Sequence, residues 1–277
     1  MKKRKLLSQY HPALYFLAVW LRRIRRYGQW CFDSKKYAKE RNFDNFPFRV
    51  KKHQSVLLRK LCGDEMQLQI NKVTNLRVAL KNLDGIVIKP GETFSFCKIV
   101  GLPSKRKGYL PGMELSFGKA RAGTGGGLCQ ISNLLHWMAL HSPLTITERY
   151  HHSFDPFPDE GRVLPFGSGA TVFYNYRDFQ FTNNTQNTFQ IRLWISDKCL
   201  EGDLRCLEEP LHSYHVFERD HKFLKIEEEY YRKNTIWRER ILKANGTKSE
   251  PELVVKNFAR VMYKPEVYEE AAEKPAD

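Results

Sequence analysis

Apolar residues recur at helical spacing over residues 72–83, where Val73, Leu76, Ala79, Leu80 and Leu83 share a face and Asp84-Gly85 supplies the stop. A clearer stripe of Leu128, Ile131, Leu134, Leu135 and Met138 predicts a helix from Leu128 to His141, ended by Pro143. Between them Ile86-Val87-Ile88 reads as a short strand, Pro90-Gly91 as a turn, and Thr93-Phe94-Ser95-Phe96 as a second strand. Residues 100–127, dense in Gly and Lys and without period, read mostly as loop. Beyond Pro143 the period changes to two. A strand is expected over residues 144–150, another along Ala170, Val172, Tyr174 and Tyr176, and a third along Phe189, Ile191, Leu193 and Ile195. Residues 212–263 add densely charged extended segments around Asn245-Gly246, as expected of a sheet with one wet face. The class is therefore α+β, a helix-containing N-terminal half followed by a mostly antiparallel sheet.

At 277 residues the chain can bury a sizeable core. Charge divides it unevenly. Residues 1–60 carry 17 Lys and Arg against Asp33, Glu40 and Asp44, a local +14, which leaves +1 for the remainder. The expected organisation is a basic arm with a short apolar helix (1–60), a core (61–210), a β-rich extension (211–265) and a frayed tail (266–277). In the arm, Lys2-Lys3-Arg4-Lys5 precedes an apolar run from Pro12 to Leu21, and Arg22-Arg23-Ile24-Arg25-Arg26 follows where a cleavage site would need small residues. We read residues 1–30 as an uncleaved segment for an anionic membrane surface, the bland alternative being a buried helix with solvated ends. With no clear export signal, the expected location is peripheral, at the cytoplasmic face. No nucleic-acid motif accompanies the arm, so no nucleic-acid partner is expected. The six cysteines are too sparse for a disulfide scaffold and read as mostly reduced, with Cys199 to Cys206 the one bridge left open.

The chemistry concentrates in Gly123-Thr124-Gly125-Gly126-Gly127-Leu128-Cys129-Gln130-Ile131-Ser132-Asn133. Gly125, Gly126 and Gly127 allow backbone angles and approaches that side chains forbid, and they place Cys129 in the first turn of the predicted helix. Unpaired N–H groups and the positive helix end favour a thiolate there and could hold an oxyanion. A small buried cysteine and a phosphate cradle are the other readings of the same turn. Glu148-Arg149-Tyr150-His151-His152 follows on a strand that returns antiparallel to the helix, so His151 or His152 could meet Cys129, and alternation favours His152 as the base. Zinc held by Cys129 and both histidines is a lesser reading with an unusual spacing, and no metal or cofactor is expected.

Asn82-Leu83-Asp84-Gly85, Ile88-Lys89-Pro90-Gly91-Glu92-Thr93-Phe94-Ser95-Phe96, the Gly125 to Gln130 turn with Ser132-Asn133, and Glu148-Arg149 leading to His152 together resemble the VanW family, in its short form without repeat domains. The resemblance implies a cell-wall protein accessory to glycopeptide (vancomycin) resistance. VanW domains in some larger proteins are linked to L,D-transpeptidase-like cross-linking through the cysteine that matches Cys129. The implied partner is a peptidoglycan stem peptide or precursor. Gly125, Gly126, Gly127, Gln130, Ser132, Arg149 and His151 are the expected substrate-binding residues, with Cys129 and His152 catalytic. A membrane-docked, non-catalytic precursor binder is the alternative. The family commonly reads Asp-Ala-Thr where this chain has Gly169-Ala170-Thr171, and His in place of Tyr150.

Overall fold

The computed structural model describes residues 11–58, 66–116, 119–151, 154–155, 158 and 163–271. Its helices precede its longest strands, as the α+β pattern predicts.

Helix α1 (Pro12–Phe32) opens the described chain. The apolar run was expected to form a short helix, but the helix continues through the arginines to residue 32. Pro12 sits in its first turn and the His11 side chain accepts from the Ala13 N–H at 3.1 Å. Strands β1 (Lys36–Tyr37) and β2 (Phe48–Val56) lead to α2 (Met66–Leu83), which starts six residues before the predicted one and ends where Asp84-Gly85 stops it. Strand β3 (Val87–Ile88), β4 (Glu92–Ser95) and the short α3 (Phe96–Val100) follow, the Ser95 hydroxyl capping α3 by accepting from the Lys98 N–H.

Strands β5 (Pro111–Ser116) and β6 (Lys119–Thr124) then pair antiparallel. This corrects the loop expected across residues 100–127. The ladder hides in sequence because glycines and charges occupy its register, including the cross-strand pair Glu114 and Arg121.

Helix α4 (Cys129–Leu140) is central. Ile131, Leu134, Leu135 and Met138 join the main core with α2 and the sheet β2-β11-β10-β3, where β10 is Phe189–Ile195 and β11 Cys199–Cys206. A Cβ on Gly202 of β11 would fall 2.8 Å from Leu134, so the helix lies directly on the strand. Its other side gives Trp137 and Leu140 to a second core with Val216 and Ile236. Those belong to the long strands β12 (His212–Ile226) and β13 (Glu229–Leu242), which pair with each other, β13 pairing on its other edge with β14 (Glu252–Val261). Asn245-Gly246 lies in the β13 to β14 turn as predicted, with Gly246 at φ +75°.

Strand β7 (Thr145–Glu148) is shorter than predicted and pairs with β9 (Gln180–Thr182), which also pairs with β4. Strand β8 (Phe154–Asp155) crosses to β14 and buries Asp155 against Arg232 at 3.1 Å. Residues 170–176 are not a strand, contrary to their alternation. Phe173 bridges back to Arg177 in a tight turn, and the carbonyls at 168, 170 and 172 meet side chains of α4 instead of a neighbouring strand. Cys199 and Cys206 are free thiols at opposite ends of β11, so the bridge left open in the sequence does not form.

Candidate functional site

The glycines act by geometry. Gly125 and Gly127 take left-handed backbone at φ +81° and +93°. A Cβ on Gly126 would lie 2.2 Å from the Gly112 carbonyl on β5, so only glycine lets the turn lie against that strand. Asn75, fully buried on α2, holds the arrangement. Its amide donates to the carbonyls of Gly126 and Leu110 at 2.9 and 3.0 Å, and its oxygen accepts from the Leu110 N–H at 2.8 Å. The N–H groups of Gly125 and Gly126 are taken up by the carbonyls of Leu110 and Gly123. Among the described residues, those of Gly127, Leu128 and Cys129 meet no acceptor other than the Cys129 sulfur itself. Three consecutive donors are thus left at the start of α4, beside the thiol.

One face of α4 gathers the segment 167–172. The half-buried Cys129 thiol donates to the Val172 carbonyl at 3.6 Å. Ser132 Oγ donates to the Ala170 carbonyl at 2.7 Å, Asn133 Oδ1 accepts from the Ala170 N–H at 2.7 Å, and His136 Nδ1 meets the Ser168 carbonyl at 2.7 Å. Arg149 completes the clamp from the other side, donating from Nε to the Gly169 carbonyl at 2.8 Å and from Nη2 to that of Gly167. A Cβ on Gly169 would come 2.6 Å from Asn133 Oδ1, which gives a packing reason for glycine where the family commonly has Asp.

Electrostatics correct one expectation. Burial, the largest cause, raises the resting pKa of the Cys129 thiol, and the nearby Glu114 carboxylate adds to it. Backbone hydrogen bonding at Val172 and at Cys129 itself, with the charge of Arg177, pulls the other way without prevailing. The helix start supplies the donors read from the sequence, but desolvation outweighs them, so the resting cysteine is a thiol and activation requires a base.

The predicted site residues separate into groups. Cys129, Gly125, Gly126 and Gly127 form the turn described above. Ser132 holds Ala170 and so positions the Val172 carbonyl. Gln130 donates to Ser55 Oγ at 3.0 Å and the Val56 carbonyl at 2.9 Å, tying α4 to β2, while its Oε1 is buried with no partner among the described residues. Arg149 is part-buried, its pKa lowered to about 10 by that burial, with two of its donors on backbone carbonyls. His151 is exposed overall and makes no hydrogen bond with Cys129, yet enough of its ring is desolvated, near the Arg149 charge, to lower its pKa. His152, the expected base, lies outside the described residues.

Sequence reasoning missed Asn75, Glu114 and His136, and it placed Asn133 in the motif without giving it a role. His136 carries a legible signal, because it sits seven residues from Cys129 and so on the same helical face. It is fully buried, with its pKa lowered to about 3. Its neutral ring must donate from Nδ1 to the Ser168 carbonyl, which leaves Nε2 as an acceptor without a partner among the described residues. With Glu148, Arg149 and Val254 it lines a half-open cleft of about 270 Å³. No cluster of three or more metal-ligating side chains occurs among the described residues.

Fold and site together define a class of α+β protein that seats a cysteine on a glycine-turned helix start and clamps a returning segment along the same helix. The comparisons make the class particular. Residues 71–205 match the family model described as "VanW like protein". The chain is 31% identical to the Vancomycin B-type resistance protein VanW of Enterococcus faecalis (strain ATCC 700802 / V583) over 260 residues, 94% of each protein. It is 34% identical to the uncharacterized protein YoaR of Bacillus subtilis (strain 168) over 121 residues, 43% of this chain and 37% of that protein. The chain belongs to the VanW family. No solved structure matches it.

Proposed function

We propose that this protein is a cell-wall-associated, cysteine-dependent acyl transferase acting on peptidoglycan stem peptides, with a role in glycopeptide resistance like that named for its Enterococcus relative. The observation that carries the reading is Cys129 beside three N–H donors that, among the described residues, meet no acceptor but its own sulfur. The base, His152 in this reading, takes the thiol proton and the sulfur attacks a stem-peptide carbonyl carbon. The oxyanion is held by the N–H groups of Gly127, Leu128 and Cys129. The C–N bond breaks and the leaving amine takes the proton from the base, which gives a thioester. An acceptor amine of a second stem peptide, or water, then attacks the thioester and gives a proton to the base; the C–S bond breaks and the sulfur takes that proton back, which restores the Cys129 thiol. The raised resting thiol pKa makes the base obligatory and predicts activity that rises towards alkaline pH.

The same donors suit a carboxylate bound without chemistry, and the raised resting pKa of the buried Cys129 thiol favours that second reading, a precursor binder. Cys129→Ser separates the two. In the transferase the variant retains muropeptide binding and loses turnover. In a binder the wild type shows no turnover to lose.

A further inference from the structure

Helix α1 has two unlike sides. One is fastened to the body. Arg26 makes a bidentate pair with Glu148, Arg23 donates to the Tyr174 carbonyl at 3.2 Å, and the Tyr27 hydroxyl meets that of Tyr174 at 2.6 Å. The other side is left bare. Leu14, Phe16, Leu17, Trp20, Leu21 and Ile24 are each between 41% and 64% exposed. At 3.6 residues per turn these positions span an arc of roughly 160°, centred about 100° round the helix from Arg23, with Tyr27 at its body-side margin. Arg25 borders one edge of the arc, and Lys2-Lys3-Arg4-Lys5 precedes the helix in sequence.

We propose that this face of α1 lies in the interface of an anionic lipid bilayer. Large apolar side chains, two aromatic rings and a cationic margin on a helix held parallel to the protein surface are what interfacial insertion uses. No helix among the described residues is long and apolar enough to cross a membrane, so α1 rests on it. Charge argues for lipid over a second copy of the chain, because the +14 of residues 1–60 would face the same charge across a two-fold contact, whereas anionic headgroups neutralise it. The structure also narrows the electrostatics read from the sequence. Arg23 and Arg26 turn inwards and Arg22 stacks over the Tyr176 ring at 5.2 Å, so among the described arginines of α1 the one left for the lipid is Arg25. Since α1 grips Tyr174, two residues beyond the Val172 carbonyl that receives the Cys129 thiol, the membrane would lie beside the site. The docking face itself does not depend on any chemistry at Cys129.

The test is flotation of the full chain with vesicles of phosphatidylcholine alone or containing phosphatidylglycerol, comparing wild type, Leu17→Glu/Leu21→Glu, and Leu253→Glu at an exposed position on β14. The wild type and Leu253→Glu should bind the anionic vesicles and not the neutral ones. The double variant, whose residues are exposed and whose melting temperature should be unchanged, should partition at least ~30-fold more weakly. Equal binding by the double variant, or equal binding to both vesicle types, overturns the proposal. So does a wild-type dimer that the double variant dissolves, with no vesicle binding by either, since the face would then belong to a second copy.

Discussion

Gly126→Ala tests the geometry that creates the site. The new Cβ would lie 2.2 Å from both the Gly112 carbonyl carbon and oxygen, and 2.8 Å from the Met113 nitrogen, all backbone atoms. Ordinary contact would require the turn and β5 to separate by more than ~1 Å. Overpacking of that kind costs about 1–3 kcal/mol, and weakening the bond between Asn75 and the Gly126 carbonyl adds about 1 kcal/mol, so a loss of roughly 2–4 kcal/mol is expected. Two other glycines supply internal controls. Gly91 has φ +77° with nothing within 4 Å of a Cβ, so Gly91→Ala should lose only the left-handed backbone term of about 1 kcal/mol. Gly28, inside α1 with open space around it, should gain up to ~1 kcal/mol as alanine. Urea unfolding read at constant m gives the three values. Because the turn also fixes Cys129, Gly126→Ala should change the rate of Cys129 alkylation as well. If Gly126→Ala is no worse than Gly91→Ala, the close approach of the turn to β5 is not what requires the glycine.

Acid should weaken the fold early. His136 and His141 are buried with pKa values lowered from 6.5 to about 3 and about 4, so the unfolded chain binds protons that the folded chain refuses. Stability should be full above pH 6.5 and fall as pH drops towards 4, by roughly 2 kcal/mol per histidine at pH 5. His136→Gln should remove about half of that slope, and an unchanged slope would refute the assignment. Arg26→Ala strands the Glu148 carboxylate and releases α1 from the body, and should cost about 3 kcal/mol, given that the pair is only partly desolvated. Arg26→Lys should recover part of this, and hydrogen exchange should show α1 loosened before the rest of the chain. Equal protection of α1 in Arg26→Ala and wild type would argue against the clamp.

The elements that bury a stripe on one core were legible. Helix α4 was read to within a residue at each end because Leu128, Ile131, Leu134, Leu135 and Met138 face a single apolar neighbour, and β10 was read from its strict alternation. What failed was structure held by polar side chains. Residues 170–176 alternate like a strand, but Ser132, Asn133, His136 and Arg149 take the backbone groups a ladder would use. The β5–β6 hairpin carries few apolar residues, and its close contact with the glycine turn is visible only in three dimensions. The same holds within the site. The position of Cys129 follows from Gly-rich sequence before an apolar stripe. Its raised pKa depends on burial under segments distant in sequence, and Asn75, the clamp on the glycine turn, is a polar residue beside the apolar stripe of α2 with nothing local to mark its role.

In the proposed reaction Cys129 carries acyl transfer on a stem peptide. The direct measurement is mass spectrometry of purified wild type and Cys129→Ala after incubation with stem-peptide muropeptides. Cross-linked or trimmed muropeptides, and a protein-bound acyl adduct, are expected with wild type alone. Muropeptides that bind both proteins and emerge unchanged from both would contradict it and leave the turn as a binding site.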